Sequence, residues 1–158
     1  PTILDLAGVQ KPVYMQGMSF KAALKGVEKP ADWRTGTYYR YWMHMAHNHG
    51  VPAHFGWRTE RYKLIFYYGS DYMVDPGQRN KKAAEDGNRY WTNTPSGWEL
   101  YDLEQDPNED VNVYHDPAYS TIIQGLKKDL EAVREEIGES DEAVYPQIQD
   151  IIEEHWND

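Results

Sequence analysis

Apolar and aromatic positions alternate with polar ones through residues 37 to 68, and the rest of the chain is organised around that stretch. Thr37-Tyr-Tyr-Arg-Tyr-Trp-Met-His44 gives way to a His/Gly/Pro break, then Ala53-His-Phe-Gly-Trp-Arg-Thr59, then Arg61-Tyr-Lys-Leu-Ile-Phe-Tyr-Tyr68. Aromatic and β-branched side chains suit a pleated, half-buried surface, so the runs predict strands over 37–44, 53–59 and 62–68. Alternation puts Thr37, Tyr39, Tyr41 and Met43 on one face and Tyr38, Arg40, Trp42 and His44 on the other. In the third run Tyr62, Leu64, Phe66 and Tyr68 oppose Lys63, Ile65 and Tyr67. Both faces carry much apolar surface, so both are expected to be covered, by helices on one side and by something else on the other. Glu60-Arg61 joins the second and third runs at hairpin spacing, without the Asn-Gly signature. Trp98-Glu-Leu-Tyr-Asp-Leu103 alternates again and predicts a fourth strand.

Helical spacing appears at both ends. Pro1 and Gly8 bracket a short helix over 2–7, and Ser19 is a plausible N-cap for a second over 20–25, stopped by Gly26. Asp116-Pro117 opens a longer one. Tyr119, Ile122, Ile123, Leu126, Leu130, Val133 and Ile137 form one stripe, ended by Gly138. This helix is expected to lie across the sheet. Its other face, with Lys127, Lys128, Asp129, Glu131, Arg134 and Glu135, is expected to be solvated. Val144, Ile148, Ile151, Ile152 and His155 continue at helical spacing, either as a second packed helix or as a loosely held tail. Residues 69–97 are punctuated by Gly, Pro and Asn, and Lys81–Asp86 suits one helical turn. The fold class is therefore α+β: an antiparallel sheet of about four strands with a long C-terminal helix packed on it, plus short N-terminal helices.

The length of 158 residues allows one sizeable core. The net charge of −10 argues against nucleic acid and against an anionic membrane surface as partners. No apolar run approaches the ~20 residues that span a bilayer. With no cysteine, disulfides, thiol nucleophiles and Cys-based zinc sites are excluded. The first residue is Pro1, and residues 1–8 lack the basic flank and apolar core of a signal peptide, so the chain reads as a fragment of a longer one.

His44, His47, His49 and His54 crowd one loop broken by Gly50 and Pro52, close to Trp57 and Arg58. Imidazoles can ligate zinc, but three ligands on one short segment need a constrained loop, and no Asp, Glu or Cys interleaves. The expectation is no metal. Two readings remain: histidines stacked in an aromatic rim, or a binding edge where His, Trp57 and Arg58 hold an anion or stack on a sugar. Ser19, Ser70, Ser96, Ser120 and Ser140 sit in capping or turn contexts, so a Ser/His/Asp nucleophile has no support.

Several stretches together resemble the C-terminal part of a type I, formylglycine-dependent sulfatase of the alkaline-phosphatase-like superfamily. They are residues 1–8, Met15–Ser19, Tyr38-Tyr39, His54–Ile65, Trp98–Glu109 and Asn112-Val-Tyr114. The resemblance implies residues 1–26 as a helical arm crossing over from a large N-terminal catalytic domain, and 27–158 as the C-terminal α+β subdomain. It implies a parent that hydrolyses sulfate esters, with formylglycine, made from Cys or Ser in Cys/Ser-x-Pro-Ser-Arg, and calcium both in that parent's catalytic domain. Neither the motif nor the metal ligands occur here, since Pro95-Ser96 is followed by Gly97. The fragment is expected to be inactive alone, to need no cofactor, and to lend a wall of the substrate cleft through His44, His47, His49, His54 and Arg58. Its partners would be the catalytic domain, a sulfated carbohydrate and, through the exposed arm, another copy. The parent's compartment would be periplasmic, secreted or lysosomal. The competing readings are a stand-alone carbohydrate- or protein-binding module and a degenerate sulfatase that only binds.

Overall fold

The four alternating runs become four strands, β1 Gly36–Tyr41, β2 His54–Thr59, β3 Tyr62–Tyr67 and β4 Gly97–Asp102. They form one antiparallel sheet in the order β1-β2-β3-β4. The structure, a computed structural model, describes residues 1–27, 33–46, 49–70, 93–139, 141 and 145–158. The chain divides into two units, Pro1–Thr35 and Gly36–Asp158. Among the described residues no helix is long and apolar enough to cross a membrane.

β1 is shorter than the run that predicts it. Tyr41 pairs with His54, the first residue of β2, so the ladder has no partner for residues 42–44. Pro52 has no N–H with which to prolong it. Trp42 instead takes the guanidinium of Arg40 at 3.7 Å from its ring centroid. The β2–β3 turn needs no Asn-Gly because Thr59 closes it: its Oγ1 accepts from Tyr62 N at 2.9 Å.

Core residues alternate as the pattern requires. Phe55, Trp57, Leu64, Phe66, Trp98 and Leu100 share one face of the sheet and are buried. Helix α3, Ser120–Glu136, covers that face with Ile123, Leu126 and Leu130. A 3₁₀ turn, Pro117–Tyr119, leads into it, and Asp116 Oδ1 accepts from Ala118 N at 2.9 Å. Its end is a Schellman closure: Glu139 N bonds Arg134 O, Gly138 N bonds Glu135 O, and Gly138 has φ +69°. The tail is a packed helix, α4 Pro146–His155, which buries Ile148 and Ile152 in the same core. Each large side chain so buried contributes about 1.5–3 kcal/mol before ordering costs.

The outer face of α3 is not uniformly solvated. Lys127 lies 4.3 Å from the Trp98 ring centroid and bonds Trp156 O, and burial pushes its pKa down to about 8. Arg134 lies 4.3 Å from the Phe55 centroid and bonds Asp141 Oδ2 at 3.0 Å. The Arg40 side chain, only 3% exposed, meets the same fully buried Asp141 and also Glu139 at 3.1 Å. Long stems from α3 and β1 reach onto aromatic faces, and the Arg40 and Arg134 charges are met by Glu139 and Asp141 of the segment after α3. Asp102, buried at the end of β4, takes Arg61 Nη2 at 2.8 Å and Nε at 3.0 Å.

In the first unit, α1 (Thr2–Leu6) and α2 (Lys21–Leu24) are tied by Asp5, which accepts from Ser19 Oγ at 2.7 Å and from Lys21 Nζ at 2.8 Å. Phe20, not Ser19, is the N-cap of α2; Ser19 Oγ donates to Asp5 and accepts from Lys21 N at 3.3 Å. Ile3, Val9, Val13, Tyr14 and Leu24 are exposed. Residues 71–92, with the expected turn at Lys81–Asp86, and Val144 lie outside the described residues.

Candidate functional site

The sheet's second face carries a different chemistry. Register brings Tyr41, His54 and Tyr67 into one row, Tyr39, Gly56, Ile65 and Glu99 into the next, and Thr37, Arg58, Lys63 and Tyr101 into a third. Within the second unit, both described helices pack on the opposite, core face. Tyrosines from β1, β3 and β4 stand on this second face. Ile65 is buried there, Tyr39, Tyr41, Tyr67 and Tyr101 are half-buried, and Arg58 is exposed.

Gly56 makes room for one of them. A Cβ at that position would stand 2.5 Å from the Tyr39 hydroxyl and 2.7 Å from its Cζ. Lacking one, Gly56 lets the Tyr39 phenol lie across the strand. The Tyr39 hydroxyl is buried with no hydrogen-bond partner among the described residues, and burial raises its pKa.

His54 is set among these tyrosines. Its ring stacks on Tyr41 at 5.6 Å between centroids, tilts against Tyr67 at 5.1 Å and meets Tyr39 edge-on at 6.0 Å. Its Nδ1 lies 2.7 Å from Pro52 O. Burial lowers its pKa, so the ring is neutral near pH 7. Beside it, Glu99 accepts from the Tyr101 hydroxyl at 3.0 Å and bonds Tyr67, and Lys63 pairs with Glu109. Tyr67 and Pro52 also line a cleft of about 350 Å³ with Thr94, Ser96, Glu99 and Asn112.

The other expected site residues divide. His44 is buried, 2% exposed, and its Nδ1 accepts from Ala53 N at 3.2 Å, so it holds the 44–53 loop closed. His49 is exposed on that loop, which turns through Met45 at φ +56° and Gly50 at φ +65°. His47 lies outside the described residues. His54 and Arg58 stand on one sheet face, four residues apart on β2. Among the described residues no three His, Cys, Asp or Glu gather closely enough to hold a metal ion. Tyr39, Tyr41, Tyr67, Glu99 and Tyr101 share this candidate site, and nothing in the histidine spacing points to them. Alternation placed the first three on faces, but only register joins them.

Comparison with known proteins completes the assignment. The chain is 33% identical over 142 residues to an N-acetylglucosamine-6-O-sulfatase of Bacteroides thetaiotaomicron, covering 89% of this chain and 21% of that protein. It is 31% identical over 135 residues to an ulvan-active sulfatase of Formosa agariphila, covering 82% of this chain and 26% of that one. Among solved structures, one in complex with its substrate D-glucosamine-2-N,6-O-disulfate superposes with a TM-score of 0.68 at 32% identity, covering 89% of this chain and 24% of that chain. The chain thus spans about a fifth to a quarter of the length of these relatives. The model of the family described as N-sulphoglucosamine sulphohydrolase, C-terminal, matches residues 1–90 and 88–136. The chain belongs to that family, and it is a C-terminal sulfatase subdomain of the alkaline-phosphatase-like superfamily.

Proposed function

We propose that this chain serves a longer polypeptide that is a sulfatase, a sulfuric ester hydrolase acting on sulfated carbohydrate, and that it supplies support and one wall of the substrate cleft. The observation that carries this is the likeness, over most of the chain, to relatives named as carbohydrate sulfatases. The chemistry of the tyrosine face supports it: aromatic planes suit the apolar faces of sugars, a neutral imidazole suits a hydroxyl, and an exposed guanidinium suits a sulfate. The remainder of the same polypeptide is the partner across the cleft. A stand-alone binding module is the less favoured reading, since the named relatives are sulfatases.

Bond cleavage is assigned elsewhere in the polypeptide. The formylglycine motif is absent from this sequence, and the described residues offer no group fit to ligate calcium, so neither group is given a place here. His54 and Arg58 bind substrate, and His44 acts by holding the loop that carries His49. The test is turnover of 6-O-sulfated N-acetylglucosamine. The whole polypeptide hydrolyses it and the 158-residue chain alone does not; turnover by the isolated chain that survives repurification overturns the assignment. In the whole polypeptide, Arg58→Ala raises KM more than it lowers kcat, the pattern of lost uniform binding. The reverse pattern would put Arg58 in the chemical step.

A further inference from the structure

The hydrogen on His54 can be placed from its neighbours. Nδ1 stands 2.7 Å from Pro52 O, and a carbonyl oxygen only accepts, so Nδ1 carries the hydrogen. The ring is half-buried, and burial favours the uncharged form. The charged and titratable groups around it are Tyr39 and Tyr41 from β1, Lys63 and Tyr67 from β3 and Glu99 from β4. Desolvation outweighs the opposing pull of Pro52 O and Glu99. A neutral ring with its hydrogen on Nδ1 leaves Nε2 as a bare lone pair. Among the described residues no donor bonds Nε2. Three tyrosine rings hold the imidazole plane, so the direction of this lone pair is fixed rather than sampled.

Further along β2 the same face changes character. The Tyr39 phenol covers Gly56, and beyond it Arg58 projects into solvent. His54 and Arg58 are four residues apart on one strand, so their Cα atoms are separated by about 13 Å at about 3.3 Å per residue. The face therefore offers a fixed acceptor, then an aromatic plate, then a cation, over a length greater than one sugar ring.

We propose that His54 reads a free hydroxyl of the carbohydrate through Nε2 while Arg58 takes an anionic group of the same ligand, so that the site selects a partly sulfated saccharide whose hydroxyl facing His54 is unsulfated. This rests on the sulfatase reading above. A hydroxyl has a hydrogen to donate to the lone pair. A sulfate ester at that position has none and would set anionic oxygens against it. A ligand that merely lost the oxygen would leave the acceptor dry and unpaired, a penalty comparable to one hydrogen bond.

The experiment uses the whole polypeptide that carries these residues. Nitrogen-15 NMR of its histidines, with the His54 signals identified by their loss in His54→Phe, is expected to show the hydrogen on Nδ1. Steady-state kinetics then compare the wild type with His54→Phe, which keeps the aromatic ring and removes the acceptor. The substrates are 6-O-sulfated N-acetylglucosamine and its 3-deoxy and 4-deoxy analogues. For the parent sugar, His54→Phe loses on the order of fivefold to tenfold in kcat/KM, the worth of one hydrogen bond, chiefly through KM. For one deoxy analogue the wild type is already slower by a similar factor, and His54→Phe changes nothing more. A hydrogen found on Nε2, or an equal loss on all three sugars, overturns the inference and leaves the sulfatase reading standing. No turnover of the parent sugar by the wild type overturns that reading, and the inference with it. If His54→Phe does not fold, the NMR assignment by pH titration of the wild type still decides the position of the hydrogen.

Discussion

The two faces of the sheet are built from the same four strands and the same alternation, yet they are packed in different ways. The core face is covered by other elements: Phe55, Leu64, Phe66 and Leu100 are sealed by α3 and α4. On the second face side chains of the sheet meet one another, with Tyr39 lying over Gly56 and His54 among Tyr39, Tyr41 and Tyr67. Covering by helices excludes water and leaves nothing reactive. The phenols, a half-buried imidazole and an exposed guanidinium keep polar chemistry on that face. The stability of the fold therefore belongs mainly to one face and the candidate chemistry to the other.

The strongest test of that division is truncation on either side of β4. Leu100→Ala is expected to cost about 2–5 kcal/mol, from lost transfer energy and the cavity left behind. Tyr101→Ala, one residue on and facing the other way, should cost clearly less. Equal shifts of the urea midpoint would mean that the second face is as much a core as the first. A smaller effect concerns the tyrosine face. Gly56→Ala should cost about 1–3 kcal/mol, because its Cβ meets Tyr39 and also stands 2.6 Å from Leu64 O. Adding Tyr39→Ala should recover part of the loss, a non-additivity that a double-mutant cycle would register. Strict additivity would separate Gly56 from Tyr39.

Asp102 tests the charged margin of the core face. Hydrogen bonds from Arg61, and more weakly from Tyr119 at 3.2 Å, hold its carboxyl below the usual range. The folded state then binds fewer protons than the unfolded state. The stabilisation is fully present above the ordinary carboxylate pKa and is lost as pH falls through the lowered, folded value. Asp102→Asn should cost about 1 kcal/mol at neutral pH, a modest figure because Arg61 is half in water, and should flatten the acid limb of the stability curve. An unchanged acid limb would mean that other carboxylates set it.

The smallest effect expected is at Lys127. Its pKa of about 8 lies below that of the unfolded chain, so the unfolded state binds more protons above pH 8 and stability rises with pH there. Tyr68, Tyr101 and Tyr114, each pushed up to about 12 by burial, oppose this once pH passes about 10, where unfolded tyrosines ionise. Lys127→Met should remove the rise between pH 8 and 10 in thermal unfolding. A wild-type curve that is flat in that interval would return Lys127 to solvent.

Strands, helices and the boundary signals of α3 were legible in the sequence because they depend on neighbours along the chain. Alternation fixes which side a residue takes. The stripe from Tyr119 to Ile137 predicts α3, and Asp116-Pro117 and Gly138 mark its ends by local chemistry. The same locality misled at Lys127 and Arg134. A charged residue on a polar stripe looks solvated until an aromatic ring or an opposite charge arrives from elsewhere in the chain. At His44 the tertiary structure adds a contact that spacing does not show: its Nδ1 accepts from Ala53 N and closes a loop.

The chain's order of residues was enough to specify an antiparallel α+β unit, its core face and its likeness to sulfatases. It placed His54 and Arg58 on the same strand. Register decided the rest. Only pairing Tyr41 with His54, and His54 with Tyr67, surrounds the imidazole with phenols, and only pairing Tyr39 with Gly56 lets a tyrosine lie flat between imidazole and guanidinium. Those meetings join residues far apart in sequence, and a shift of register by one residue would send each side chain to the other face.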